Sequence, residues 1–169
     1  MALTPPFVRG HDHALGESGP VLVLFGDYED PDSAAAHRAI AALGESVTYV
    51  WRHLPIGELH PNANGAALAA EGAAAQDAFW AYHHVLLARQ DALSVPDLLN
   101  YAAQIGLDVT QMIAGVQEER DVQRVLDNVA SAKASGTLET PSRFIEGVRW
   151  DGGWDPDALE GALRAALAG

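Results

Sequence analysis

The stretch Asp27-Tyr28-Glu29-Asp30-Pro31-Asp32-Ser33 gathers four carboxylates, a phenol and a hydroxyl into seven positions. Asp30 and Asp32 are a pair of carboxylates of the kind that can act as general acid and base. Both are expected to face solvent, which makes them a weak acid–base pair. Ser33 and His37 stand at i and i+4, one helical turn apart, and are the nearest thing here to a nucleophile and its base. That pair lacks a carboxylate to orient the imidazole, and side chains on one helix face seldom align for attack. The plainer reading of Asp30 is a helix N-cap, with Pro31 at the first helical position and Asp32 at the positive end of the helix dipole.

The other groups able to do chemistry are histidines. His11-Asp12-His13 could supply part of a metal site, but no third ligand lies nearby in sequence, and an exposed arm is the better reading. His53, His60, His83 and His84 are scattered along the chain. There is no cysteine. A disulfide, a thiol nucleophile and a thiolate metal site within this chain are therefore excluded.

The elements that must position these residues follow from the pattern. Val21 to Phe25 is an unbroken apolar run, as in a strand buried on both faces. Asp30 to Leu43 reads as a helix stopped by Gly44. Val47 to His53, β-branched and aromatic, reads as a second strand parallel to the first. From about 62 to 135 the pattern is helical throughout. It predicts helices over Asn62–Ala74 and Asp77–Arg89, and others opening at Ser94, Asp108 and Asp121. Met112, Ile113 and Val116 are expected on one face of the fourth, and Val122, Val125, Leu126 and Val129 on one face of the fifth. Ser142–Ile145, Glu146-Gly147 and Val148–Trp150 predict a β-hairpin. Asp155 caps a last helix with Leu159, Leu163 and Leu167 on one stripe. Residues 1–20, rich in Gly and Pro, read as an arm preceding a domain over 21–169.

Hydrophobic residues make up 49% of the 169, so the chain is globular. With 23 acidic against 10 basic residues the formal charge is −13. Such a surface repels nucleic acid and anionic membrane, and keeps a domain in solution. Neither a signal peptide nor a membrane-spanning run is evident, which sets the expectation of a cytoplasmic protein or a domain of a larger one.

The order β-α-β, helical insert, β-β-α is that of an α/β thioredoxin fold with an all-helical insertion, and the wording of the chain resembles the DsbA-like branch of that superfamily. Members typically read F-G-D-Y-x-C-P-Y-C after the first strand, where this chain has Phe25-Gly26-Asp27-Tyr28-Glu29-Asp30-Pro31-Asp32-Ser33. Their R-H-x-P and H-P are matched by Arg52-His53-Leu54-Pro55 and His60-Pro61. Their F-W-x-x-H is matched by Phe79-Trp80-Ala81-Tyr82-His83, and their G-T-P-T-F-F-I-N-G by Glu139-Thr140-Pro141-Ser142-Arg143-Phe144-Ile145-Glu146-Gly147. The wording from Val8 to His60 is similar to DsbA-like domains attached to NhaA-type sodium/proton antiporters, and to stand-alone members.

The resemblance places Asp30 at the family's nucleophilic cysteine and Ser33 at the resolving one. It implies a cis-proline at Pro141 and a peptide-type groove formed by Tyr28, Asp30, Pro31, Asp32, Ser33, Thr140, Pro141 and Arg143. Arg143 would pair with Asp30 or Asp32, or point to water from an edge strand. The function implied is a redox-inactive binding or regulatory module for a peptide, a protein segment or a small thiol ligand, conceivably as a domain of a membrane antiporter. No catalytic residue, metal or cofactor is expected, with His37 the residual base. The alternative is a non-redox enzyme like the kappa-class glutathione transferases and isomerases, which use S-P-Y-S at this site and would bring glutathione. Here the first serine of that motif is Asp30.

Overall fold

The computed structural model describes residues 3–168, excepting the side chains of Glu45, Pro156, Leu167 and Ala168. Its sheet contains strands β1 (His13–Leu15), β2 (Val21–Gly26), β3 (Thr48–His53), β4 (Ser142–Ile145) and β5 (Val148–Arg149), in the spatial order β1-β3-β2-β4-β5. β2 lies at the centre, parallel to β3 and antiparallel to β4. Helix α1 (Pro31–Ala41) makes the crossover from β2 to β3. The insert consists of α2 (Ala63–Ala74), α3 (Phe79–Ala88), α4 (Val95–Gln104), α5 (Val109–Gln117) and α6 (Arg120–Ala134), and α7 (Pro156–Ala168) closes the chain.

Burial explains why β2 must be central. Leu22, Val23, Leu24 and Phe25 all have zero exposure, and alternation sends them to opposite faces. Leu22 and Leu24 join Tyr49, Trp51 and Ile145 against α1, the insert and α7. Val23, Phe25, Val50 and Phe144 meet Ala132 and Val129 of α6 on the other face. The sheet is therefore covered on both sides, as its unbroken apolar central strand requires.

The remaining differences from the sequence reading are local. The arm over 1–20 contributes strand β1, paired antiparallel with β3, so His13 stands in the sheet opposite Trp51. Asp12 enters the interior with it and meets Arg52, Nη2 to Oδ2 at 2.7 Å, both side chains almost wholly buried. Asp77 lies before α3 in the left-handed region, and Glu119, at φ 59°, starts α6 ahead of Asp121. Ile113 and Leu126 sit on their helices' exposed sides while Met112 and Val125 are buried. Leu159 and Leu163 are buried in the stripe of α7, and the Leu167 side chain lies outside the described residues.

Gly26 is required by close approach: a Cβ there would overlap the Trp51 indole. Gly26→Ala should cost about 1–3 kcal/mol through overpacking. A lower urea midpoint at unchanged m-value checks this.

Candidate functional site

The turn from β2 to α1 is where chain direction reverses, and its polar groups are almost all internally paired. Asp30 has extended backbone and caps α1: Oδ1 accepts from the Asp32 N–H at 3.0 Å and Oδ2 from the Ser33 N–H at 3.1 Å. The Ser33 hydroxyl donates to the same Oδ2 at 2.6 Å and accepts from the Asp27 N–H at 3.1 Å. Asp30 is only 7% exposed and Ser33 is fully buried, while Pro31 and Asp32 are exposed. The expectation that Asp30 and Asp32 both face solvent is thus corrected: the helix N-terminus draws Asp30 inward and leaves Asp32 outside.

Asp27 holds the turn to the chain after β3. Its carboxylate accepts from the Glu29 N–H, the Ile56 N–H and His60 Nδ1, each at 2.8 Å. Glu29 in turn accepts from the backbone and side-chain amides of Asn62, both at 2.7 Å. Gln90, just past α3, donates from Nε2 to the carbonyls of Tyr28 at 2.9 Å and Asp30 at 2.8 Å. The insert therefore reaches back and fixes the turn. Nothing in the local sequence around Gln90 points to that contact.

Ser33 and His37 do not pair. His37 Nδ1 lies 3.2 Å from both the Tyr49 hydroxyl and His83 Nε2, and His83 Nδ1 lies 2.8 Å from the Tyr28 hydroxyl. The expected nucleophile–base pair is corrected to a hydroxyl bonded to Asp30 and an imidazole turned into the core. Burial holds His37 down to about 4, aided by the nearby charges of His84 and Arg38. Burial likewise pushes His83 well below the usual imidazole range and Tyr28 well above the usual phenol range. These rings are neutral at pH 7 and mutually hydrogen-bonded.

The loop before β4 is brought to this turn by register, since Ser142 pairs with Phe25, two residues ahead of Asp27. The Thr140–Pro141 peptide bond is cis. Thr140 and Pro141 are half-buried. Ser142 Oγ anchors the loop, 2.6 Å from Thr137 Oγ1 and donating to the Glu139 carbonyl at 2.8 Å. Arg143 follows neither course open to it from sequence. It is 7% exposed and its guanidinium lies between two indoles, 4.4 Å from the Trp150 ring centre and 3.5 Å from that of Trp154. Nε donates to the Trp150 carbonyl at 3.0 Å and Nη2 to the Gly152 carbonyl. Delocalised cations favour aromatic faces, and the two tryptophans that follow the hairpin provide them.

A family model described as the DSBA-like thioredoxin domain matches residues 45–164. The chain belongs to the DSBA-like thioredoxin family. This DSBA-like domain also resembles a thioredoxin-like oxidoreductase from Silicibacter pomeroyi, at TM-score 0.86 and 25% identity over 95% of each chain. Oxidised BdbD from Bacillus subtilis matches at TM-score 0.83 and 18% identity, covering 99% of this chain and 98% of its own, a likeness of fold. Among curated proteins it is 39% identical over 171 residues to the Na(+)/H(+) antiporter NhaA 3 of Salinispora tropica, covering 98% of this chain. The chain spans 26% of the length of that relative. No helix among the described residues is long and apolar enough to cross a membrane.

A second cluster of this DSBA-like domain borders the turn at Tyr28, whose ring centre lies 5.7 Å from that of His53. His13 Nε2 and His53 Nε2 both meet Glu71 Oε1, at 2.8 and 3.0 Å. Sequence reading set His13 on an exposed arm without a third partner. The pairing of β1 with β3 instead places it beside His53, and α2 supplies Glu71 from within an alanine-rich run. Its periodicity puts Glu71 on the buried side, the one signal that could have found it. Burial alone would raise Glu71, but hydrogen bonds from His13 and His53 outweigh this and hold it well below the usual carboxylate range.

These groups give the domain a definite response to acid. An unfolded histidine takes its proton near 6.5, while folded His37 waits until about 4. Between those values the unfolded state binds more protons, so stability falls as pH falls. His83 and His53, each lowered on folding, act in the same window, while Glu71, lowered from an ordinary 4.5, acts in the same sense at more acid pH. Urea midpoints should drop progressively from pH 7 to 4.5, and His37→Asn should lower the midpoint at pH 7 while making that slope shallower.

Proposed function

We propose that this domain is a redox-inactive DsbA-like binding or regulatory module that accepts an extended peptide or protein segment at the Thr140–Pro141 loop and the exposed start of α1. The observation that carries the reading is the inward pairing of Asp30 with Ser33. At the positions of the family's cysteines, a carboxylate and a hydroxyl satisfy each other and the helix N-terminus, so the turn is kept in shape without a reactive group. Thiol–disulfide exchange needs an attacking thiolate and a second thiol, and neither exists in the chain. Pro31 and Asp32 remain exposed, and the half-buried Thr140 and Pro141 lie on a loop that the pairing of Ser142 with Phe25 carries to the same end of β2, which would leave a surface on which a backbone could lie.

The burial of Ser33 and its bond to Asp30 speak against the glutathione-transferase-like alternative, because a hydroxyl so placed can neither meet nor activate a small thiol. The likeness to part of a sodium/proton antiporter supports a second element of the proposal. The segment recognised belongs to such a transporter, to which this domain is joined or docked on the cytoplasmic side.

The test is binding of a panel of extended peptides, and of glutathione, by calorimetry and thermal shift. Expected are peptide binders weakened roughly tenfold or more by Asp32→Lys, an exposed change worth within about 0.5 kcal/mol in stability, and likewise by Thr140→Arg at the half-buried loop position. Peptides that ignore both changes, or glutathione binding with turnover of an electrophile, would overturn the reading. Insulin reduction should be undetectable. Asp30→Cys combined with Ser33→Cys should confer it, since the N–H groups now bonded to Asp30 would face a thiolate.

A further inference from the structure

We propose that His13, His53 and Glu71 form a binding site for a divalent transition-metal ion, zinc by the chemistry of its donors, open to solvent through the groove between β1 and the helical insert. The donor atoms come from β1, β3 and α2 and lie within 4.8 Å of one another. Two imidazoles and one carboxylate, with a coordination position left open, is a donor set that suits zinc. The groove measures about 690 Å³ and is lined by His11, His13, Glu71, Phe79, Arg120 and Arg124 among others, so the His13 and Glu71 side of the cluster opens on room for a water or a ligand, with His53 buried behind it.

The site is built rather than incidental. Phe79 stacks on the His13 ring at 3.5 Å and 9°, fixing its plane. Glu71 and His53 are almost wholly buried. Glu71 Oε2 is buried without a hydrogen-bond partner, although Arg124 Nε stands 2.7 Å away, because the N–H does not point along that line. Arg124 thus holds Oε2 as an ion pair, while Oε1, which faces both imidazoles, is the oxygen an ion between them would take. Donors bound tetrahedrally about 2.0–2.2 Å from an ion stand roughly 3.3–3.5 Å apart, so the contacts at 2.8 and 3.0 Å would have to open by about half an ångström, within the range of side-chain adjustment.

The ion must also displace two protons, since the Glu71 carboxylate accepts from Nε2 of both His13 and His53. Trp51 Nε1 donates to His53 Nδ1 at 3.2 Å, and an indole can only donate. His53 therefore carries its proton on Nε2, toward Glu71. Metal binding at Nε2 moves that proton to Nδ1 and breaks the bond from Trp51, which ties occupancy of the site to an indole in the core.

The experiment titrates Zn²⁺ into the intact protein, with calorimetry for affinity and heteronuclear NMR for location. Expected is one ion bound with a Kd below about 1 μM. Binding should weaken by roughly 100-fold in His13→Gln and be unchanged in His11→Gln, and the Trp51 indole N–H and the His13 and His53 ring signals should move in wild type. Equal affinity of wild type and His13→Gln overturns the proposal, as does stoichiometric zinc that leaves those wild-type signals in place. Failure of the folded wild-type protein to bind zinc at all means that the cluster is a hydrogen-bonded clasp only. The NMR result on wild type decides the matter even if His13→Gln does not fold.

Discussion

A buried carboxylate must be paired with donors or its charge becomes prohibitively costly, and Asp27 is such a carboxylate, 1% exposed at the exit of the central strand. Its donors come from the turn itself and from the segment after β3, through Ile56 and His60. The ends of two parallel strands are thereby tied at one point. Glu29 extends the tie to Asn62 at the entrance of the insert, and Gln90 returns from the insert to the carbonyls of Tyr28 and Asp30. The start of α1, the cis-proline loop set beside it by the β2–β4 register, and the packing of the insert on the sheet all presuppose this pairing.

That arrangement explains how a catalytic turn can lose its reaction and keep its shape. A helix N-terminus presents unpaired N–H groups and a partial positive charge, which can be spent on stabilising a thiolate. Here the same N–H groups bind the side-chain oxygens of Asp30. Ser33 replaces the resolving thiol with a hydroxyl that donates to Asp30 and accepts from Asp27. Asp30 is thus a cap, and a cap contributes about 1 kcal/mol to folding.

The parts of the fold legible in sequence were those set by local rules. Val21–Phe25 declared a strand buried on both faces, Asp30-Pro31 declared a helix start, and Glu146-Gly147 a hairpin turn, where both residues have positive φ. What escaped was decided at long range. Three residues, His13–Leu15, carry too little pattern to announce a strand, and β1 exists because β3 offers an edge. The periodicity of its alanine-rich helix puts Glu71 on the buried side, but only the assembled fold shows His13, His53 and Arg124 around it. Asp30 was placed rightly as a cap, but its burial depends on Gln90 and Ser33. Arg143 looked like a residue for the site because it follows the proline, whereas period-two alternation turns it to the indoles of Trp150 and Trp154.

That last arrangement bears on how the loop could bind anything. Ordering a flexible loop costs affinity, and a platform fixed beforehand avoids that cost. The Thr140–Pro141 segment is fixed from three directions. Ser142 bonds back to Thr137 and Glu139, β4 is held in register by β2, and Arg143 locks the strand to the chain between β5 and α7 through two carbonyls and two aromatic faces. Arg143 is thus a positioning residue rather than a contact residue. With no thiol at Asp30 and Ser33, rigidity of this loop is the property a binding role would use, and it is supplied by Ser142 and Arg143, which bond to backbone and side chains of the chain itself.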